Sequence, residues 1–323
     1  MSREGRDASG ADTYLADLRA VVEAALARTL GALGAPDPID EALRYALMGG
    51  GKRLRPCLTL ATADAVGDTL GLTRDHARAL ALPAACAVEM VHSYSLVHDD
   101  LPAMDDDAMR RGRPTAHVVY GDGLAVLAGD GLLTEAFHVL ASAPSPAVPA
   151  GAPEPAPERR IEAIRRLAAA AGVVGMVGGQ SIDLAAAGRI SGRGPTRLSS
   201  DALEDMHRRK TGALIRAAVT LGAIVTGGNA GVVEAADAYA RELGLAFQIV
   251  DDILDVEASD KALGKTAGKD AAAGKPTYPA VHGLEESKRM AARCIERARA
   301  ALDSADLGGP LSDIASWSLE RRG

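Results

Sequence analysis

From Ala11 onward nearly every segment of this 323-residue chain repeats its apolar side chains at helical intervals, and segments with the alternation of a strand are hard to find. That periodicity constrains the fold more than any other feature, because each helix has to bury its apolar stripe against other helices. The residue types suit this packing. Hydrophobic residues make up 47% of the chain but aromatics only 3%, so Ala, Leu, Val and Ile fill the interior and favour close helix–helix approach. The fold class is all-α, and the length allows a sizeable core in one large domain or two.

Helical runs are expected over Asp12–Leu33, from Asp37, and over roughly 53–66, 74–101, 118–142, 160–188, 200–226, 230–258, 285–306 and 311–322. Asp37-Pro38-Ile39-Asp40-Glu41 starts a helix, with Asp37 as N-cap, Pro38 in first position and acids toward the positive end of the dipole. Ser200 is expected as an N-cap, and Pro310 opens the last helix. Glycines at 49–51, 227–228, 264 and 268 mark breaks. The first ten residues are polar, without the apolar stretch of a signal peptide, and are expected to be disordered. Ala141–Pro157 holds six of the sixteen prolines and is expected to be an exposed, flexible loop. Residues 188–198 form a second, shorter loop. Composition does not change across either, so residues 11–323 read as one domain of about ten or more helices.

A net charge of −7 argues against nucleic acid as a partner, while leaving room for anionic substrates where basic groups or a metal dominate locally. Cys57, Cys86 and Cys294 have no paired spacing and read as reduced structural thiols of a cytoplasmic protein. No run of 18 or more apolar residues occurs, so no membrane-spanning helix is expected.

Two acid clusters about 150 residues apart carry the chemistry: Asp99-Asp100-Leu101-Pro102-Ala103-Met104-Asp105 and Asp251-Asp252-Ile253-Leu254-Asp255. Carboxylates this close raise one another's pKa unless a cation neutralises them. Hard oxygen ligands suit Mg²⁺ carrying substrate phosphates, and the flanking Arg110, Arg111 and Arg113, with Lys261, Lys265, Lys269 and Lys275, suit the same phosphates. On a helix Asp251 and Asp255 share a face, with Asp252 about 100° round as a supporting or partial ligand. The plain alternative is a solvated acidic face. In the first cluster Asp106 returns to the face of Asp99, but Pro102 interrupts the helix, and a bulge there would swing Asp105 back instead. Geometry leaves Asp105 and Asp106 both open. His98 reads as a core histidine with a satisfied hydrogen bond.

Gly49-Gly50-Gly51-Lys52-Arg53-Leu54-Arg55-Pro56 lets the backbone approach a ligand, with Lys52 and Arg55 beside it, although a helix C-cap followed by solvated bases would look the same. It lacks P-loop spacing. Lys210-Thr211-Gly212 says little alone; Gln248 shares the acid face of Asp251. Gly264 to Tyr278 reads as a lysine-bearing segment that closes over phosphates, or as a solvated turn.

These residues together resemble the trans-prenyltransferases of the polyprenyl synthetase family. The resemblance covers Gly49–Pro56, Glu89–Thr115, Gly129-Asp130, Gly179–Leu184, Lys210-Thr211-Gly212 and Gln248–Pro279, in the family's order. It implies an isoprenoid synthase-type bundle around a central cavity, a homodimer, and two facing Asp-rich motifs holding three Mg²⁺ ions on an allylic diphosphate. By resemblance Asp99, Asp105, Asp251 and Asp255 ligate metal with Asp100 supporting. Arg110, Lys210, Lys265 and Lys275 bind the allylic diphosphate, and Lys52, Arg55, His92 and Arg111 bind isopentenyl diphosphate. Thr211 and Gln248 direct oxygen dipoles at the allylic cation. Tyr94 and Ser95, just upstream of Asp99, are the implied chain-length positions. An aromatic at Tyr94 resembles bacterial farnesyl diphosphate synthases (C15), with the C20 geranylgeranyl product the alternative. A class I terpene cyclase would carry a different second metal motif, and a non-catalytic regulatory subunit would have lost one acid cluster; this chain keeps both.

Overall fold

The computed structural model describes residues 4–196, 198–261 and 277–320. Among them the only strands are a two-residue pair, and the rest of the regular structure is helical, as expected. The described chain groups into two compact units. The first comprises Thr13–Ala168 and Ala217–Ala230; the second comprises the chain up to Asp12, Ala169–Arg216 and Gly231 onward. The boundary leaves no mark in composition because the chain crosses it inside helices α1 (Glu4–Ala32), α7 (Pro157–Ala171) and α10 (Ala213–Thr226).

The first unit contains α2 (Asp37–Leu47), α3 (Leu54–Thr69), α4 (Arg74–Asp99), the hairpin β1 (Met109–Arg110) and β2 (Arg113–Pro114), α5 (Ala116–Tyr120) and α6 (Asp122–Ala141). Helix α4 packs against both α3 and α6 and is buried without a break from Leu80 to Val91. Small residues make this approach feasible. A Cβ on Gly67 would sit 2.7 Å from that of Ala77, and one on Gly222 of α10 would run into the Thr59 carbonyl of α3. Thr59 turns that closeness into a bond, its hydroxyl donating to the Ala218 carbonyl at 2.8 Å. Buried Asp64 on α3 accepts from the Arg78 guanidinium (2.6 and 2.9 Å) and the Tyr14 hydroxyl (2.7 Å), so a charge inside the core is fully partnered.

The second unit contains α8 (Met176–Ala186), α9 (Ser200–His207), a π-helical turn at Arg208–Gly212, α11 (Ala230–Lys261), α12 (Tyr278–His282), α13 (Leu284–Asp303) and α14 (Pro310–Glu320). Fully buried Tyr239 on α11 donates to the Leu311 carbonyl at 3.0 Å and so ties α14 to α11.

Several expectations are corrected. Helix α1 begins at Glu4 rather than at Asp12. Pro36, not Asp37, is the cap residue of α2, and Ser199, not Ser200, caps α9 by accepting from the Ala202 amide. The run over 160–188 breaks at Gly172–Gly175, where a Cβ on Gly175 would collide with the Ala170 carbonyl. The proline-rich segment is not a helix, and it is exposed only in part: Ala143, Pro144 and Pro149–Gly151 face solvent, while Ser145, Ala147 and Val148 are buried. Proline removes backbone donors and leaves carbonyls over, and side chains serve those carbonyls and a remaining amide. Arg28 donates to the Ala147 carbonyl at 2.9 Å, Arg160 to the Ser142 carbonyl at 3.0 Å, and the Ser145 amide donates to Glu154 at 2.9 Å. Three stretches, Arg74–Asp99, Asp122–Ala141 and Pro157–Ala186, are long and apolar enough to cross a membrane, against the expectation of none; the first has 83% of its apolar window buried inside the protein.

Truncating one partner of a buried ion pair strands the other, at a cost of about 3–5 kcal/mol. Asp64→Ala is therefore expected to lower unfolding stability by about that amount in urea titration. A loss below about 1 kcal/mol would show that Arg78 and Tyr14 find water instead.

Candidate functional site

Helix α4 ends at Asp99 with Asp100 as its cap, and Pro102 cannot continue it. The chain then doubles back. The Asp105 amide donates to the Asp99 carbonyl at 2.8 Å, the Asp106 amide to Leu101 at 3.1 Å and the Asp107 amide to Asp100 at 3.2 Å. The backbone of Asp105 thus lies against that of Asp99, while Asp106 takes a left-handed conformation (φ 56°) and is exposed. Among the described residues no three His, Cys, Asp or Glu side chains gather as a closed metal cage. A pair of carboxylates is the donor set that suits Mg²⁺, which completes its shell with waters and substrate phosphates. The residues fit the ion.

Asp100 is placed differently from its neighbours. It is buried, and both its oxygens accept from the Arg110 guanidinium at 2.7 and 2.9 Å, which takes up a carboxylate expected to support a metal. Burial raises its pKa, and Arg110 opposes that shift. The hairpin turn, with Arg111 (φ 52°) and Gly112 (φ 74°) both left-handed, sets three arginines around one cleft. Arg111 donates to the Gly50 carbonyl, and its guanidinium occupies the space a Cβ on Gly51 would need. Arg113 lies 4.3 Å over the Tyr45 ring. The cleft they line is open to solvent and includes Asp100, Gly49, Ser93 and Val97.

Beneath it, buried Arg53 stands in the left-handed region (φ 49°) at the start of α3. Its guanidinium donates to Glu89 at 2.6 Å, to Glu23 at 2.7 Å and to the Leu47 carbonyl at 2.5 Å. These bonds fix the glycine-rich turn, so Lys52 projects to solvent while Arg55 turns inward to His92, Nη1 to Nε2 at 3.4 Å. Burial lowers the His92 pKa well below its usual value, and Arg55, Arg111, Arg53 and Arg110 reinforce the shift. Glu89 is held upward by burial against the pull of Arg53.

One turn along α4, Tyr94 is buried and meets His98 edge-on at 5.7 Å. His98 has the satisfied hydrogen bond expected of it, to the Val126 carbonyl (3.1 Å), but it is part-exposed rather than in the core, and its ring fills the space beside Gly129. Ser95 caps back onto the His92 carbonyl at 2.8 Å.

In the second unit, Lys210 pairs with Asp183 of α8, and Gly179 lies so close to the Lys210 backbone that no side chain would fit there. The π-turn carries Thr211, whose hydroxyl donates to Gln248 Oε1 at 3.3 Å. Gln248 Nε2 donates to Asp252 at 2.9 Å. Asp251 is half-buried and Asp255 exposed, on the helical spacing expected. Lys265 and Lys275 lie outside the described residues. Tyr45, Arg53, Glu23, Glu89 and Asp183 had no assigned role in the sequence reading, and the seat of Arg113 on an aromatic ring was not foreseen. Their partners lie 27 to 36 residues or more away in sequence, or act through an aromatic face, and such pairs leave no periodic signal.

Paired carboxylates at a helix end beside clustered guanidinium groups are an arrangement whose chemistry suits phosphorylated anions and a hard cation. The comparisons give the lineage: residues 36–306 match the polyprenyl synthetase family model, and the chain belongs to that family. It is 43% identical over 298 residues to a farnesyl diphosphate synthase of Geobacillus stearothermophilus, covering 92% of this chain and 93% of that protein. It is 47% identical over 284 residues to geranylgeranyl pyrophosphate synthase 3, chloroplastic, of Arabidopsis thaliana, covering 87% and 74% respectively. The crystal structure of an FPP/GFPP synthase from Zymomonas mobilis superposes with a TM-score of 0.75 at 35% identity, covering 95% of this chain and 98% of that one. The all-α isoprenoid synthase-type fold implied by the resemblance is therefore the fold found.

Because the folded pKa of His92 is lowered, the native ring stays neutral while the unfolded one takes a proton as pH falls through about 6.5. Folding stability is expected to fall over that window, more steeply in the parent than in His92→Gln, by denaturant titration at pH 8, 7, 6 and 5. Parallel profiles for the two proteins would rule out a neutral His92.

Proposed function

We propose that the chain condenses isopentenyl diphosphate with an allylic diphosphate head to tail and releases farnesyl diphosphate, C15, as its main product. The observation that carries this reading is the first unit's paired arrangement: Asp99 with Asp105 at the end of α4, and Arg55, Arg111 and His92 gathered over the Arg53–Glu89 pair. Lys52, Arg55 and Arg111 would hold the diphosphate of isopentenyl diphosphate, with neutral His92 accepting from Arg55 and so directing it. Asp100 would aim Arg110 at the allylic diphosphate. Lys210, released from Asp183 by a competing phosphate, would bind the same group, as would Lys265 and Lys275.

Asp99, Asp105, Asp251 and Asp255 would hold Mg²⁺, three ions with substrate bound, whose charge stabilises the departing diphosphate. The allylic C–O bond ionises, the isopentenyl double bond attacks the cation, and the released diphosphate takes the proton. No side-chain nucleophile or general base is needed. Apolar walls keep water from the cation.

Tyr94 supports C15: it is buried five residues before Asp99 and braced by His98, which Gly129 lets α6 approach. The second reading, a C20 product, is favoured by small, half-buried Ser95 beside it and by the likeness to a chloroplast geranylgeranyl synthase. A second copy of the chain is the proposed partner. Exposed Val118, Val119, Val126 and Leu127 of the first unit give such a dimer an apolar face. Three buried free thiols support a cytoplasmic setting.

The purified chain alone, given isopentenyl diphosphate with the C5 or C10 primer, is expected to yield C15 alcohol after dephosphorylation, to leave the C15 primer unextended, and to extend no primer when Mg²⁺ is chelated. Turnover surviving chelation would sink the metal assignment. Tyr94→Ala is expected to move the main product to C20 or longer, and an unchanged C15 product would remove Tyr94 as the floor of the tail pocket.

A further inference from the structure

The second acid motif contains a carboxylate that its neighbours keep away from solvent. Asp252 is 5% exposed, whereas Asp251 is half-buried and Asp255 exposed. Its Oδ1 accepts from Gln248 Nε2 at 2.9 Å, one helical turn back on α11. Its Oδ2 accepts from the backbone amide of Tyr278 at 2.9 Å, the first residue of α12. Each oxygen is thus engaged by a donor, and the Tyr278 amide cannot reverse its role because a backbone N–H only donates.

We propose that Asp252 is a positioning residue rather than a magnesium ligand, and that it sets the direction of the Thr211 hydroxyl through Gln248. The reasoning follows hydrogen-bond polarity. An ionised carboxylate accepts only, so the Gln248 side chain must turn its NH₂ toward Asp252. Its carbonyl oxygen then faces the π-turn, where Thr211 donates to it at 3.3 Å. The one proton of the Thr211 hydroxyl is used there, so only the lone pairs of Oγ1 remain to meet a positive charge. Gln248 itself is a relay, since its oxygen is occupied. The π-turn contributes by carrying Thr211 toward α11, where Gly212 and Gly244 pack so closely that a Cβ on Gly244 would lie 3.4 Å from the Gly212 Cα. The chain Tyr278–Asp252–Gln248–Thr211 has one consistent direction from end to end.

Asp252→Asn breaks that direction with little change in shape. The single amide oxygen of Asn must keep the Tyr278 N–H, so its NH₂ faces Gln248, which flips. Thr211 then accepts instead of donating, and its hydrogen points where the lone pair was. This deepens the prenyl-transfer reading and rests on it for the kinetic arm alone. In that arm Asp252→Asn is expected to lower kcat by about tenfold or more with KM for both substrates within about twofold. Thr211→Val should lose as much, and the double variant should lose no more than either single one, because both remove the same dipole.

In the binding arm, calorimetric titration of inorganic diphosphate in the presence of Mg²⁺ should give Asp252→Asn within about twofold of the parent, while Asp251→Asn weakens binding about tenfold or more. Gln248→Met cuts the relay without touching the Tyr278 anchor, and so covers the case in which Asp252→Asn does not fold. It should reproduce the kinetic loss and leave diphosphate binding unchanged. Diphosphate binding weakened as much by Asp252→Asn as by Asp251→Asn, or additive losses for Asp252→Asn and Thr211→Val, overturns the proposal. If the parent chain makes no prenyl product, the functional reading falls by itself, and the diphosphate titration still decides the role of Asp252.

Discussion

The guanidinium of Arg53, buried and gripped by Glu23, Glu89 and the Leu47 carbonyl, is the interaction on which the first unit's chemistry rests. A charge moved out of water persists only when donors and acceptors match, and here each partner comes from a different helix: α1, α4 and the end of α2. The match holds Arg53 in a left-handed conformation that a side-chain-bearing residue rarely adopts, and that conformation aims its neighbours: Lys52 outward, Arg55 inward. Burial, reinforced by Arg55, Arg111 and the same Arg53 guanidinium, keeps His92 neutral. Packing, backbone strain and protonation state are linked through one side chain.

The acid motifs show a related division of labour. In each, one of two adjacent aspartates is withdrawn from solvent and given to an organising partner, Asp100 to Arg110 and Asp252 to Gln248 and Tyr278. The remaining carboxylates stay more accessible. Like charges so close together resist ionising side by side, and satisfying one of each pair internally leaves the other able to meet a cation. The two units use the same device with different partners.

How much of this was legible in the chain depends on range. Helix α4 and the face shared by Asp251 and Asp255 follow from local periodicity, so they were readable. The Asp105–Asp99 approach was only one of two open choices, because Pro102 ends the helix without stating where the chain turns next. The burial of Ser145, Ala147 and Val148 within the proline-rich loop was missed: proline content forbids helix but does not say whether Arg28, Arg160 and Glu154 will supply partners there. The chain passes from one compact unit to the other within continuous helices, so composition carries no mark of that boundary.

The sequence by itself determined an all-helical chain, its acid and basic motifs, and the family they resemble, since spacing along a helix fixes which residues share a face. Tertiary structure decided which carboxylate pairs with which base, which way Gln248 and Thr211 point, and how deeply His92 and Tyr94 are buried. Those outcomes depend on contacts between residues tens of positions apart. Burial and hydrogen-bond polarity act there on distances that no local pattern encodes.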